Sequence, residues 1–173
     1  MTNGVYTLAS ESIEPSNVKA INPEPEKWHG SVNLSAATAH GNTESDKVTL
    51  LADVNRRWEK DRLNANFGYY FAQNGSNHEK KQKTEDRSEI FGQEDHFWAN
   101  KVYSYINGKY ERDGVKELLY RYQVGTGIGY QWLDGYNDET TCKGSVNQEA
   151  GLTYIKEKYR HQKDDDRMAV RYA

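Results

Sequence analysis

The sequence is poor in cysteine, in long apolar runs and in excess basic charge. These shortages exclude an internal disulfide bond, a membrane-spanning helix and a basic nucleic-acid-binding surface, respectively. Its one cysteine, Cys142, permits no internal disulfide bond. The longest apolar runs are a few residues, whereas a membrane-spanning helix needs about 20, so a helical membrane protein is excluded. The net charge is −3 and the pI is near 6.0, which excludes the basic footprint of a nucleic-acid-binding surface.

What the sequence does have is aromatic side chains spread along a hydrophilic chain. Among its 173 residues are 13 tyrosines, 4 tryptophans and 4 phenylalanines, and the mean hydropathy is −1.04. Regularly interleaved aromatics argue against disorder. Low hydropathy together with 14 glycines favours strands with two unlike faces. The first residues, MTNGVYTLASES, lack the basic region and apolar core of a signal peptide.

The chain divides at residue 27. Residues 1–27 hold all three prolines and no long alternation, so we interpret them as a lead-in segment. From Trp28 onward apolar and polar residues alternate with period two, which predicts a β-barrel domain over residues 28–173. The alternation is clear over 47–58, 62–71, 120–132 and 145–155, and weaker over 31–40, 86–97, 102–111 and 167–173.

These segments predict an all-β fold with seven strands and the beginning of an eighth. We expect an antiparallel up-and-down meander that closes or partly closes into a β-barrel. Each strong segment runs about ten residues. At roughly 3.3 Å per residue and a tilt near 40°, such a strand rises about 25 Å, the height of the apolar band on an outer-membrane barrel.

The tryptophans predict an aromatic girdle at one end of the barrel. Because successive strands alternate in direction, four tryptophans fall on the same rim: Trp28, Trp58, Trp98 and Trp132. Short turns are predicted there at 59–61 and 99–101, with a longer one at 133–141. Long charged loops are predicted at the other rim, over 73–85 and 156–166. That asymmetry is typical of outer-membrane barrels and would place the amino terminus on the periplasmic side.

The polar faces of the strong strands supply candidate lumen-lining residues: Asp53, Arg57, Arg62, Asn64, Asn66, Arg121, Gln123 and Glu149. We expect arginines there to pair with Asp53 or Glu149. In a small barrel such side chains fill the interior and leave no open channel. A soluble barrel with an apolar interior would show the same alternation. The two alternatives differ in whether five apolar residues are exposed or converge inside: Leu50, Val54, Phe67, Tyr69 and Ile128.

Segment 86–97 fits lipid less well than the others. One of its faces carries Asp86, Glu94 and His96, and the other carries Arg87, Glu89 and Asp95. Whichever face meets lipid therefore carries charge, and a cation at the middle of the membrane costs about 2–4 kcal/mol. Because most of these charges lie near the strand ends, where the cost falls toward zero, the strand is tolerable.

Three stretches together resemble a known family: WHGSVNLSAATAHGNT (28–43), YERD (110–113) and VGTGIGYQWLD (124–134). They are similar to the salt-induced outer-membrane proteins, domain of unknown function family 481, over roughly residues 28–173. The resemblance implies a bacterial outer-membrane β-barrel with no established activity. Members usually carry a secretion signal and continue for several strands, whereas this sequence stops at MAVRYA. The resemblance therefore implies a barrel that is incomplete at its carboxyl end.

No residue pattern predicts catalysis, a cofactor or a metal. The glycine-rich stretch GTGIGY (125–130) lacks the spacing of a dinucleotide-binding fingerprint. Three consecutive acids, 164–166, more often form a solvated loop than a calcium site. His40 lies near Ser45 and Asp46, but triad residue types without geometry are common. A hydrolase site at the rim with the long predicted loops would require a histidine hydrogen-bonded to a serine in a cleft.

The sequence thus supports two hypotheses of function. The first is a non-enzymatic outer-membrane-type β-barrel of unknown physiological role, structural or pore-like, with outer-membrane lipid as its partner. The alternative is a soluble β-barrel that binds a small apolar ligand in its interior. We expect no nucleic-acid partner. An open edge at the last strand also predicts pairing between copies of the chain into a homo-oligomer.

Overall fold

The computed structural model of the protein is an antiparallel β-structure. It describes residues 27–76, 80–133 and 146–173 in full. It also gives two short, mutually paired strands, β1 (Tyr6–Leu8) and β2 (Glu11–Ile13), while residues 1–5, 9–10 and 14–26 of the predicted lead-in segment lie outside the described residues. None of the described residues form a helix long and apolar enough to cross a membrane.

Eight further strands form a single sheet. They are β3 (His29–Ala39), β4 (Thr43–Arg57), β5 (Asp61–Ser76), β6 (Gln82–Phe97), β7 (Val102–Asp113), β8 (Leu118–Leu133), β9 (Val146–Tyr159) and β10 (Asp165–Tyr172). Every strand pairs antiparallel with its neighbour in the chain. This confirms the predicted all-β up-and-down meander. The sheet is partly curled, and its outer strands, β3 and β10, do not pair with each other.

The register gives the sheet one polar and one apolar face. Asp53 lies opposite Asn66, and Leu50 lies opposite Tyr69. Polar residues therefore pair with polar residues across neighbouring strands, and apolar residues pair with apolar ones. We call the side that carries Asp53 the polar face and the side that carries Leu50 the apolar face. This arrangement follows from the period-two alternation, because successive side chains of a strand point to opposite sides.

The polar face is the concave one. Arg57 of β4 donates to Gln131 of β8 at 3.5 Å, although three strands lie between them. Gln93 of β6 donates to Glu149 of β9 at 2.9 Å. Arg171 of β10 reaches Gln93 at 3.4 Å. Side chains from strands so far apart in the sheet can meet only on the inner side of a curl.

Burial is therefore inverted relative to an ordinary globular core. The buried polar residues include Gln93, Asp95, Glu111, Glu149 and Glu157. On the apolar face Val32 is 73% exposed, Ile128 66% and Val170 82%. Within the described ranges the buried hydrophobic residues are limited to Phe97, Tyr103, Tyr105 and Leu118.

The strands extend further than their apolar segments predict. β5 and β6 continue into the loop predicted over 73–85, and β9 and β10 shorten the loop predicted over 156–166. The connections at that end span 40–42, 77–81, 114–117 and 160–164. The prediction of long loops there is wrong, because polar pairs such as Gln73 with Lys83 and Asn74 with Gln82 continue the ladder. Loop length therefore no longer supports the prediction that the amino terminus lies on the periplasmic side.

A row of glycines in β8 makes room for the buried tyrosines of β7. Tyr103 lies opposite Gly129, and Tyr105 lies opposite Gly127. A Cβ atom at residue 129 would stand 2.2 Å from Tyr103 Cζ, and one at residue 127 would stand 2.7 Å from Tyr105 Oη. The tyrosine rings thus occupy the space where side chains of β8 would otherwise be.

We predict that Gly129→Ala destabilises the protein by roughly 1–3 kcal/mol, because the new methyl group overlaps the ring of fully buried Tyr103. Gly92→Ala is the matched control, since a Cβ at residue 92 of β6 would meet nothing within 4 Å. The free energy of unfolding, measured by urea titration with tryptophan fluorescence, should fall for the first variant alone. Equal losses in both variants would contradict this account of the glycine row.

Candidate functional site

The eight predicted lumen-lining residues share the polar face. Arg62 lies opposite Arg57, and Asn66 lies opposite Asp53. Glu149 lies opposite Gly129, within the glycine row that the buried tyrosines cover. The full set is Asp53, Arg57, Arg62, Asn64, Asn66, Arg121, Gln123 and Glu149. The concave face is therefore the candidate site, and its chemistry is that of paired charges.

A buried ion pair joins β5 to β6. Arg62 Nε donates to Asp95 Oδ2 at 2.7 Å, and the Asp95 side chain is fully buried. Gln93 Nε2 donates to the other carboxylate oxygen of Asp95 at 2.8 Å. The Arg62 guanidinium also stands 5.1 Å from the ring centroid of Tyr103. Two donors thus compensate for the loss of water around this carboxylate.

Glu149 gathers donors from three other strands. Tyr103 Oη of β7 and Gln93 Nε2 of β6 each donate to its Oε1 at 2.9 Å. Arg171 Nη2 of β10 lies 2.9 Å from its Oε2. β6 and β10 are not neighbours in the sheet. The contacts of Glu149 with both strands therefore stabilise the curl and also compensate the buried negative charge.

A second carboxylate group links β7, β8, β9 and β10. Arg121 Nε donates to Glu157 Oε2 at 2.6 Å, and Arg167 Nη1 donates to Glu157 Oε1 at 2.8 Å. Arg121 also approaches Glu111 at 3.4 Å. The acids are more deeply buried than their partners: the Glu157 side chain is 8% exposed, whereas Arg121 is 24% and Arg167 48%. The carboxylate of Glu157 is therefore shielded from solvent more than the cationic groups that pair with it.

The predicted pairing of arginines with Asp53 or Glu149 holds at one of the two acids. Glu149 pairs with Arg171, an arginine outside the predicted set. Asp53 accepts a hydrogen bond from Ser31. Arg62 and Arg121 pair instead with acids outside the predicted set: Asp95 and Glu111 in the weakly alternating segments, and Glu157 just beyond the strong segment 145–155.

Sequence reasoning missed the most buried members of the site. Asp95 belongs to the charged segment 86–97, and Tyr103 belongs to segment 102–111, whose alternation is weak. Their positions in the alternation already place both on the polar face. Residue type does not reveal this placement for Tyr103, since a buried tyrosine fits an apolar face equally well.

A shallow groove of about 400 Å³ lies on the polar face between β3 and β7. Leu51, the one apolar exception among the inward positions of β4, lines it together with Phe91 and Tyr70. Asp53 and Lys109 bring charge to the same groove. This mixture of apolar and charged walls gives the groove no single ligand chemistry.

The four predicted girdle tryptophans occupy one end of the sheet. The amide of Phe97 donates to Lys60 O and the amide of Gln131 to Lys101 O, so the β5–β6 and β7–β8 pairing continues into the turns at this end. Two indole N–H groups donate to neighbours: Trp98 to Ser104 at 3.0 Å and Trp132 to Gln148 at 3.2 Å. We call this end the tryptophan rim: Trp28, Trp58, Trp98 and Trp132. Trp28, Trp98 and Trp132 are exposed there.

The opposite rim carries ion pairs. Lys81 Nζ contacts Asp46 at 2.8 Å and Glu44 at 3.2 Å. The hydrogen bond to Asp46, followed by that to Glu44, raises the pKa of Lys81. Asp46 also accepts hydrogen bonds from Gln73 and Thr38, so its carboxylate oxygens are occupied.

The residues considered for metal binding or catalysis are dispersed in the structure. Among the described residues no group of three or more histidine, cysteine or acidic side chains could hold a metal ion. Asp164 pairs with Lys158 at 3.1 Å. His40 lies against Thr38 at 3.4 Å, not against a serine. His96 pairs with Asp61 at 2.6 Å.

We predict that Asp95→Ala lowers the free energy of unfolding by about 3–5 kcal/mol, because it leaves the Arg62 charge buried without its carboxylate. Asp165→Ala is the control, since it removes an acid from a solvent-exposed pair with Arg167. Chemical denaturation of the two variants should show a large loss for the first and little change for the second. Similar losses would contradict the expectation that breaking the buried pair costs more than breaking an exposed one.

Comparison with known protein families gives one clear match. Residues 32–173 match the profile of the family described as protein of unknown function, DUF481. No curated protein and no solved structure matches the chain. Because the match covers most of the sequence and all eight strands of the curled sheet contribute to it, the chain belongs to the DUF481 family.

Proposed function

We propose that the protein is a non-enzymatic β-barrel protein of the bacterial outer-membrane type, with lipid against its apolar face. The observation that carries the proposal is the inverted burial: carboxylates such as Asp95 and Glu149 are buried in the curl, while Ile128 and Val170 are exposed outside. A water-soluble sheet gains stability by burying its apolar side. Exposed apolar surface on this scale marks an interaction with lipid or with another protein.

The arrangement of aromatic residues on the apolar face supports the same proposal. Near the rim opposite the tryptophans, Tyr122 packs against Tyr110 and Tyr120, with ring centroids 5.0 and 5.1 Å apart. Ten residues of β8 separate Tyr122 from Trp132. At about 3.3 Å per residue and a tilt near 40°, the two levels are about 25 Å apart. Aromatic girdles of outer-membrane barrels have this spacing.

The side chains of β8 between these two levels suit a lipid environment. The outward positions are Val124, Thr126, Ile128 and Tyr130, and none of them carries charge. Thr126 donates its hydroxyl to the backbone oxygen of Tyr105 at 2.9 Å, which removes its one free donor from the surface. A strand with this outer surface is stable in contact with hydrocarbon, whereas exposing its apolar side chains to water is unfavourable.

We infer that the interior of this barrel is filled rather than open. Glu149 is bonded to Gln93 of β6 and Tyr103 of β7, and Glu157 bridges Arg121 of β8 and Arg167 of β10, so side chains connect strands that are not neighbours in the sheet. In small barrels side chains of this kind fill the lumen. A structural role therefore suits the protein better than that of an open pore.

The alternative, a soluble barrel around a small apolar ligand, has less support. It requires the apolar side chains to converge inside, whereas Val54 and Phe67 are exposed on the convex side. Leu50 and Tyr69 lie on the same convex face and are half-buried. The apolar side chains on the concave side within the described ranges include the tightly packed cluster of Phe97, Tyr103 and Tyr105 and the patch around Leu51 and Phe91 in the shallow groove.

We predict that Ile128→Arg costs about 2–4 kcal/mol in lipid vesicles, because it places a cation at mid-height of the lipid-facing band. The protein is refolded into vesicles, and unfolding is followed by heat-modifiable gel migration and urea titration. Leu133→Arg is the matched control: Leu133 is exposed at the end of the same strand, where a cation costs about 0–1 kcal/mol. In a water-soluble protein both exposed positions would accept arginine with little effect. That result, or failure to enter vesicles, would sink the proposal.

We further propose that the outer edges of the sheet pair between copies of the chain. Within the described residues neither β3 nor β10 has a neighbour on its outer side. Both strands carry exposed apolar residues, Leu34 on β3 and Met168 on β10 among them. Unpaired strand edges are templates for pairing with another chain.

Light scattering of the detergent-solubilised protein should therefore give a molar mass above that of one chain, falling on dilution. A strictly monomeric species at every concentration would contradict edge pairing. The membrane proposal would survive that result, because it depends on the faces of the sheet and not on its edges.

A further inference from the structure

One arginine points away from the polar interior and lies between two tryptophans. Arg56 belongs to the apolar face of β4, at the tryptophan rim. Its Cζ is 4.7 Å from the ring centroid of Trp58 and 5.2 Å from that of Trp28. The two indoles meet edge to face with centroids 6.0 Å apart. We call these three residues the arginine–tryptophan cluster.

One N–H donor of the Arg56 guanidinium is unused within the described part of the chain. Its Nε is buried and has no hydrogen-bond partner among the residues that the structure covers. The inward arginines differ, since Arg62 and Arg121 each contact a carboxylate. The outward acid at the same rim, Asp61, is held by His96 at 2.6 Å. Contact with the ring faces holds the cation but uses none of its N–H donors.

We propose that the arginine–tryptophan cluster binds the phosphate of an anionic phospholipid at the membrane–water interface. A planar guanidinium matches phosphate oxygens in a two-point hydrogen bond. Indole rings sit at headgroup level in membranes, and here they also restrict the arginine side chain before a ligand arrives. The inference rests on the proposed membrane location and adds a specific lipid contact to it.

The surroundings of the cluster favour a lipid over a free phosphate ion. Arg56 lies opposite Leu63, and Val54, two residues earlier on the same face, is exposed. A ligand at Arg56 therefore has apolar surface directly beside it, on the side away from the rim. An acyl chain attached to the phosphate would cover that surface, whereas an inorganic anion would leave it in water.

The test measures lipid retention by the full chain in zwitterionic detergent micelles. Native mass spectrometry is run with added phosphatidylglycerol, with phosphatidylcholine and with inorganic phosphate in separate arms. We expect phosphatidylglycerol to be retained preferentially and its apparent affinity to fall about fivefold in R56Q. R56K should also weaken retention, because an ammonium group keeps the charge but lacks the planar pair of donors.

K60Q is the matched control, since Lys60 is an exposed cation of the adjacent turn and lies outside the cluster. It should retain phosphatidylglycerol as the unaltered chain does. Equal loss in K60Q and R56Q, no preference among lipids, or competition by inorganic phosphate as strong as by lipid would each overturn the site. Heat-modifiable migration of the same variants reports membrane folding separately. Normal migration without lipid preference refutes the lipid site alone, whereas failure to fold into lipid refutes the proposed function and the site with it.

Discussion

The need of buried carboxylates for hydrogen-bond and ionic partners inside the curl is the constraint on which the rest of the structure depends. A sheet that curls around its polar side removes charged groups from water, and each such group then needs a partner. Glu149 meets this need with donors from β6, β7 and β10. Backbone ladders join only neighbouring strands, so side-chain bonds of this kind link strands that the ladder leaves unconnected.

The glycine row of β8 makes this polar interior possible. Tyr103 and Tyr105 lie across Gly129 and Gly127, so the aromatic rings are buried flat against the sheet. The hydroxyl of Tyr103 then reaches Glu149, which joins the packing of the rings to the charge network. The same curl turns the other face outward and spreads its apolar side chains over the convex surface. The polar interior and the apolar exterior thus both follow from the same curvature of the sheet.

The sequence alone predicts which residues share a face but not which face is inside. Period-two alternation placed Asp53, Arg121 and Glu149 together, and the structure agrees. Alternation is symmetrical between inside and outside, so the direction of curl depends on contacts between distant strands, such as Arg57 with Gln131. The strand ends were missed for another reason. Backbone pairing continues through polar residues at 73–76 and 82–85, where hydropathy gives no signal.

The least apolar strand shows where a lipid-facing band would have to lie. Glu94 is exposed on the apolar face of β6, opposite Leu63 and Ile106. It stands four residues from Trp98, about 13 Å along the strand and about 10 Å in depth after tilt. An acid costs less in lipid than a cation, and the cost falls toward the interface. A band bounded by Trp98 keeps Glu94 in its outer half, whereas a band moved beyond that tryptophan would carry the carboxylate toward mid-membrane. In the proposed membrane location, Glu94 would therefore limit the depth of the lipid-facing band as much as the tryptophans do.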